Sequence, residues 1–176
     1  MILTIIKIFI PPPPKCVEML MEREKFNGVV LEPACGDGSM SKIIEKYNVC
    51  KSGDLIDRGF GSVGIDFLSD FYQVKGENII TNPPYKLAKE FLLKSLETAN
   101  EKVAFFMRLS FLESKERYQI FKKYPPKIVY VLSARPEIYK NGIKTKNSGM
   151  VAYCWIVWDK TLNNKNTIID WIYDKN

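Results

Sequence analysis

Asn82, Pro83, Pro84 and Tyr85 are a tetrapeptide suited to holding a flat amino group. Two consecutive prolines fix two φ angles and remove two backbone donors. Pro83 also pushes Asn82 away from helical geometry. The result is a stiff loop that presents an amide, carbonyl oxygens and an exposed aromatic face. An amino group on an aromatic ring is a poor nucleophile, because its lone pair is delocalised into the ring. Two acceptors aimed at its hydrogens draw it towards tetrahedral geometry and free the lone pair. The Asn82 side-chain oxygen and the Pro83 carbonyl can supply them as preorganised electrostatics, while Tyr85 stacks on the ring. The plain alternative is a rigid turn.

A second constellation lies upstream, in Glu32, Pro33, Ala34, Cys35, Gly36, Asp37, Gly38 and Ser39. Glycines after a strand let the backbone turn sharply and let a ligand approach closely. Asp54 stands at the end of the next predicted strand, where an acidic residue can hold ribose hydroxyls; taken alone, such a residue is more often a turn residue or helix cap. Asp66 is either a cap or an acceptor for an adenine amino group beside the apolar wall of Phe67. Arg108, Ser110 and Glu113 either line a cleft or cap a helix. Lys140, Lys144 and Lys146 fall in a basic loop that can meet phosphates.

The elements that must position these residues follow from periodicity. Residues 11–14 are extended and residues 15–25 helical. Strands are predicted at 28–31, 48–54, 79–80, 102–107, 127–132 and 151–158, with a further short element at 63–68. Helices are predicted at 39–47, 86–96 and 115–122. Alternation of strand and helix argues for an α/β fold with a mainly parallel sheet covered on both faces. Residues 127–132 and 151–158 have no helix between them, so they are expected to pair antiparallel.

The chain has 176 residues and 46% hydrophobic content, enough for one domain with a core. A single domain over residues 1–176 is therefore expected. A net charge of +6 favours a polyanion, most simply nucleic acid; the plainer reading is solubility. There is no histidine, which excludes histidine bases and histidine-ligated metals. Cys16, Cys35, Cys50 and Cys154 lack paired C-x-x-C spacing, so no metal site is expected. Reduced thiols in a cytoplasmic protein are the simplest account. The apolar residues 1–10 are too short to span a bilayer, and no membrane partner is expected.

Leu-Glu-Pro-Ala-Cys-Gly-Asp-Gly-Ser at 31–39, Asp66-Phe67-Leu68, and Asn82-Pro83-Pro84-Tyr85 resemble the motifs of amino-group methyltransferases that use S-adenosylmethionine. The chain is most similar to DNA adenine-N6 methyltransferases, including small phage or prophage forms, over about residues 11–158. The resemblance implies a Rossmann-like class I methyltransferase with seven strands and a final antiparallel hairpin. It implies that Glu32, Pro33, Ala34, Cys35, Gly36 and Gly38 wrap the cofactor's methionine part. Asp54 would hold its ribose, and Asp66 with Phe67 its adenine. Asn82, Pro83, Pro84 and Tyr85 would serve the methyl transfer, with Asn82 also beside the cofactor. Where such enzymes often have Thr-Pro near the cofactor's amino-acid end, this chain has Pro12-Pro13-Pro14 and no hydroxyl.

The implied reaction is methylation of adenine's exocyclic amino group in nucleic acid, with DNA preferred over RNA. A base in a duplex must first be flipped out. RNA and protein-glutamine methyltransferases carry the same tetrapeptide and remain rival readings, as does a catalytically silent cofactor- or nucleic-acid-binding subunit. Unlike typical DNA adenine methyltransferases, the chain shows no separate target-recognition region. Specificity would then come from short loops, a specificity subunit or a homo-oligomer.

Overall fold

Helix α1 (Pro14–Met21) starts where the proline run ends, with proline at its first position, where a missing N–H costs nothing. The computed structural model describes residues 10–136, 139–140, 143–144 and 149–173. After α1 come β1 (Val30–Glu32), α2 (Ser41–Ile44), β2 (Cys50–Asp54), β3 (Ser62–Val63) and β4 (Gly76–Thr81). A 3-10 turn, Tyr85–Leu87, leads into α3 (Ala88–Thr98), then β5 (Ala99–Arg108), a second 3-10 turn at Leu109–Leu112 and α4 (Lys115–Lys123). The chain ends in β6 (Ile128–Leu132), β7 (Tyr139–Lys140), β8 (Ile143–Lys144), β9 (Tyr153–Asp159) and β10 (Ile168–Ile172).

Eight strands form one sheet in the order β10-β6-β9-β5-β4-β1-β2-β3. The pairs are parallel except those of β9, which runs antiparallel between β5 and β6. This is the α/β class expected, with the predicted antiparallel pair in place. One apolar layer joins α1 and α2 to the sheet through Val17, Leu20, Ile44, Phe106 and Trp155. The other joins α3 to the opposite face through Phe91, Leu92, Phe105 and Ile156. All seven residues of β9 are buried, as a strand flanked on both edges and covered on both faces must be.

Glu24, 3% exposed, ties α1's exit to the far edge of the sheet. It accepts from Lys102 Nζ at 2.8 Å, Lys127 Nζ at 3.0 Å and Tyr130 OH at 2.9 Å. Burial works against its charge, but these hydrogen bonds outweigh burial and hold its carboxyl below the usual value.

The structure corrects several expectations. The sheet has eight strands rather than seven, because Ile168–Ile172 adds an edge strand parallel to β6. The helix predicted at 39–47 keeps α-form only over Ser41–Ile44. The bonds from Ile43 N to Met40 O, Lys46 N to Ile43 O and Tyr47 N to Ile44 O are tight turns of the 3-10 kind. The element at 63–68 is a two-residue strand followed by turns. Residues 1–9 and the side chains of Lys140, Lys144 and Lys146 lie outside the described residues, so those readings stand as expectations.

Candidate functional site

Parallel strands bring the carboxyl ends of β1, β2, β4 and β5 to one edge of the sheet, so Glu32, Asp54, Thr81 and Arg108 end there together. Ligands of open α/β sheets bind beyond such ends. β4 lies between β1 and β5. The tetrapeptide therefore leaves the sheet with the glycine turn on one side and Arg108 on the other, each about 5 Å away in strand spacing.

The glycine turn is held by its own polar groups. Gly36 and Gly38 have φ of 58° and 77°, which glycine adopts without steric cost. Gly36 N donates to Asp54 Oδ2 at 2.9 Å, and Cys35 N donates to Gly53 O at 3.0 Å. Asp54 Oδ1 also accepts from Ile56 N at 2.8 Å and lies 3.6 Å from the Arg58 guanidinium. Asp54 thus fastens the turn from the neighbouring strand. Glu32 is 1% exposed and accepts from Ser41 Oγ, which also meets Ser52 Oγ at 2.7 Å. Burial pushes its carboxyl well above the usual range, against the pull of the Ser41 bond. Burial, with Glu32 and Asp54 nearby, pushes the Cys35 thiol up to about 12, so it is no nucleophile at neutral pH. Pro33 is buried and Ala34 half-buried.

The tetrapeptide differs. Asn82 Nδ2 donates to Ile10 O at 2.5 Å, which orients the amide. Its Oδ1 is buried and has no hydrogen-bond partner among the described residues. Thr81 Oγ1, beside it, is in the same state, as are Asn78 Oδ1 and Ser95 Oγ elsewhere. Only Asn82 and Thr81 stand at the carboxyl end of β4. Pro84 O accepts from Leu87 N at 2.8 Å, which leaves the Pro83 carbonyl outside that 3-10 turn. The Tyr85 ring is not the bare face that the sequence suggested. It is half-buried, its hydroxyl lies 3.5 Å from Tyr153 OH, and the Arg108 guanidinium sits 4.9 Å from its centroid. Burial and the neighbouring Tyr153 raise its phenol far above the usual value, so it is neutral at any working pH.

Asp66 and Phe67 are not brought to an open surface together. Asp66 is exposed and caps a turn, its Oδ1 accepting from Leu68 N at 3.0 Å. Phe67 is 1% exposed and packs on Tyr72 and Phe91, centroids 5.0 and 5.1 Å away. Its ring is thus packed in the core in this structure. Ser110 and Glu113 are exposed and their carbonyls accept from the Arg117 side chain, but neither caps α4: its cap is Ser114, whose Oγ accepts from Arg117 N at 3.3 Å.

Three residues at this edge escaped the sequence reading. Ile10 holds the Asn82 amide through a backbone carbonyl, which no residue type signals. Tyr153 comes from the antiparallel strand β9. Phe60 covers the glycine turn: a Cβ on Gly38 would lie 2.4 Å from its ring. Gly59 and Gly61, at φ 80° and 72°, flank Phe60 and were the available signal.

No protein-family model matches the chain, and no curated protein is similar to it in sequence. Solved structures share its fold. The methyltransferase subunit of a type I restriction-modification system from Streptococcus thermophilus superposes with a TM-score of 0.66 at 12% identity. That match covers 93% of this chain and 47% of the other, so this chain spans about half of that subunit's length. A putative class I S-adenosylmethionine-dependent methyltransferase from Listeria monocytogenes gives 0.59 at 12% identity, over 90% of this chain and 62% of the other. A putative RNA methyltransferase from Pyrococcus horikoshii gives 0.58 at 13% identity, over 84% and 83%. The fold is that of class I methyltransferases.

Proposed function

We propose that this chain transfers a methyl group from S-adenosylmethionine to the exocyclic amino group of adenine in nucleic acid, DNA before RNA. One observation carries the reading: at the carboxyl end of β4, Asn82 holds a buried amide oxygen without a hydrogen-bond partner among the described residues. A buried polar atom without a partner is costly, and an amino group supplying the missing donor removes that cost.

The residues present fit the cofactor. Gly36 and Gly38 bring no side chain of their own to the turn, although the Phe60 ring packs against Gly38, and Asp54 at the end of β2 stands where a ribose would be met. Glu32, Pro33, Ala34, Cys35, Gly36 and Gly38 would hold the methionine part, Asp54 the ribose, and Asp66 the adenine edge. When bound, the cofactor supplies an activated methyl on a sulfonium. Asn82 Oδ1 and the Pro83 carbonyl accept from the target amino group and draw its lone pair out of the ring. Pro83 and Pro84 keep those acceptors still, so orientation is settled before reaction. Tyr85 provides the flat surface on which the base stacks. Its neutral phenol takes no proton. Arg108, stacked on Tyr85 without a carboxylate ion pair among the described residues, turns to the phosphate beside the target nucleotide. Among the described residues no helix is long and apolar enough to cross a membrane.

RNA is the second reading, because the Pyrococcus protein named as a putative RNA methyltransferase is matched over 83% of its length. Labelled S-adenosylmethionine incubated with DNA, RNA and protein fractions tests both. Label in N6-methyladenine of DNA is expected. Label in RNA only selects the second reading, and label in protein only rejects both. Binding of S-adenosylhomocysteine with no transfer to any fraction identifies a silent subunit.

A further inference from the structure

The strand that the sequence reading missed is also the most exposed apolar element of the sheet. β10 has β6 on one side and, among the described residues, nothing on the other. Ile168, Ile169, Trp171 and Tyr173 are 59%, 54%, 65% and 61% exposed. Edge strands are normally blunted by charge, proline or a bulge; β10 carries only Asp170. Ile168 N donates to Lys127 O, and Ile172 O accepts from Ser133 N. The backbone groups of 168, 170 and 172 therefore face β6, and those of 169, 171 and 173 face outward. Ile169, Trp171 and Tyr173 also share one face of the strand.

We propose that β10 is the surface through which two copies of this chain pair, edge to edge and antiparallel. The strand is complementary to itself about a two-fold axis at Trp171. In that register Trp171 meets Trp171, and Ile169 meets Tyr173. The outward N–H and C=O groups bond across the axis, and six apolar side chains form one stripe. Asp170 then faces Ile172. A register centred on Asp170 sets two carboxylates opposite each other, which is unfavourable.

Covering these side chains removes on the order of 500 Å² per copy, given about 150–250 Å² for a buried aromatic. A pair thus reaches about 1,000 Å² at most, the lower limit for a specific interface and below the standard size of about 1,600 Å², so the dimer is expected to depend on concentration. Strands β9 and β6 separate β10 from β5, a span of roughly 14 Å, so Asn82–Tyr85 stays outside the interface. The axis is perpendicular to the sheet, so the two carboxyl edges point in opposite directions. Each copy meets its own substrate.

Sedimentation and cysteine cross-linking of the full chain test this without reference to methyl transfer. The natural chain is expected to sediment as a dimer and Trp171→Glu as a monomer with an unchanged far-ultraviolet spectrum. Under mild oxidation Trp171→Cys is expected to link to itself, since paired Cα atoms about 5.5 Å apart suit a disulfide. Ile168→Cys, off the axis and on the opposite face, is expected not to link. Cys16, Cys35 and Cys154 are buried but Cys50 is half-buried, so linking is read against the natural chain oxidised in parallel. A monomeric natural chain, a dimer that survives Trp171→Glu, or equal linking at 168 and 171 overturns the proposal. If Trp171→Glu does not fold, the linking pattern decides.

Discussion

Two turns leave adjacent parallel strands at the same edge of the sheet, and they treat their polar groups in opposite ways. In the glycine turn Asp54 answers Gly36 N, Ser41 answers Glu32, and Gly53 O answers Cys35 N. At Asn82 the amide nitrogen is held by Ile10 O while the oxygen has no partner among the described residues. The first turn is a finished scaffold whose shape survives by itself. The second holds an acceptor out of water, an arrangement that costs stability and makes sense where a donor arrives from outside.

Substitutions that separate the turns test this contrast. Asn82→Ala is expected to lower methyl transfer about a hundred- to thousandfold, the loss typical of one preorganised polar group. S-adenosylhomocysteine binding, measured by calorimetry, should stay unchanged; a parallel loss of binding would merge the two turns into one site. Gly38→Ala is expected to do the converse. A Cβ there meets the Phe60 ring in a left-handed conformation, a strain of about 1–3 kcal/mol. Thermal unfolding and cofactor affinity should both suffer.

Tyr85→Ala is expected to weaken nucleic-acid binding about ten- to a hundredfold, corresponding to about 1–3 kcal/mol of stacking, and to spare the cofactor. Arg108→Gln should reduce the salt slope of that binding by about one phosphate; an unchanged slope would return Arg108 to a purely internal role on the Tyr85 ring. Glu32 gives the smallest effect. Burial raises its carboxyl in the folded state, so the native chain keeps a proton that the unfolded chain releases. Stability is then greatest below the ordinary glutamate value and falls as pH rises through the raised one. Glu32→Gln is expected to flatten that fall in thermal midpoints measured from acid to neutral pH.

Much of this edge was legible beforehand. Apolar runs ending at Glu32 and Thr81 placed two turns correctly, because buried parallel strands are short and continuous; β2 is polar and only partly buried. Tyr85 was given too open a setting, whereas the turn reading of Asp54 agrees with its bonds to Gly36 N and Ile56 N. Both gain partners from other strands, Arg108 and Tyr153 for Tyr85, Gly36 for Asp54, and no local pattern encodes such partners. The packing of Phe67 was hidden for the same reason: its neighbour Asp66 is exposed, yet the ring turns inward onto Tyr72 and Phe91. β10 was missed because its five residues follow a polar stretch and carry no helix to announce a crossover.

Residue type and spacing alone determined the α/β alternation, the two stiff turns and the chemistry available to Asn82, since dihedral restriction and hydrophobic period act within a few neighbouring residues. Tertiary structure decided which polar atoms would be satisfied, which rings would be covered and which strand would be left at the edge. Those outcomes depend on contacts between residues far apart in the chain, such as Ile10 with Asn82 and Tyr85 with Tyr153, and exist only once the sheet has closed around them.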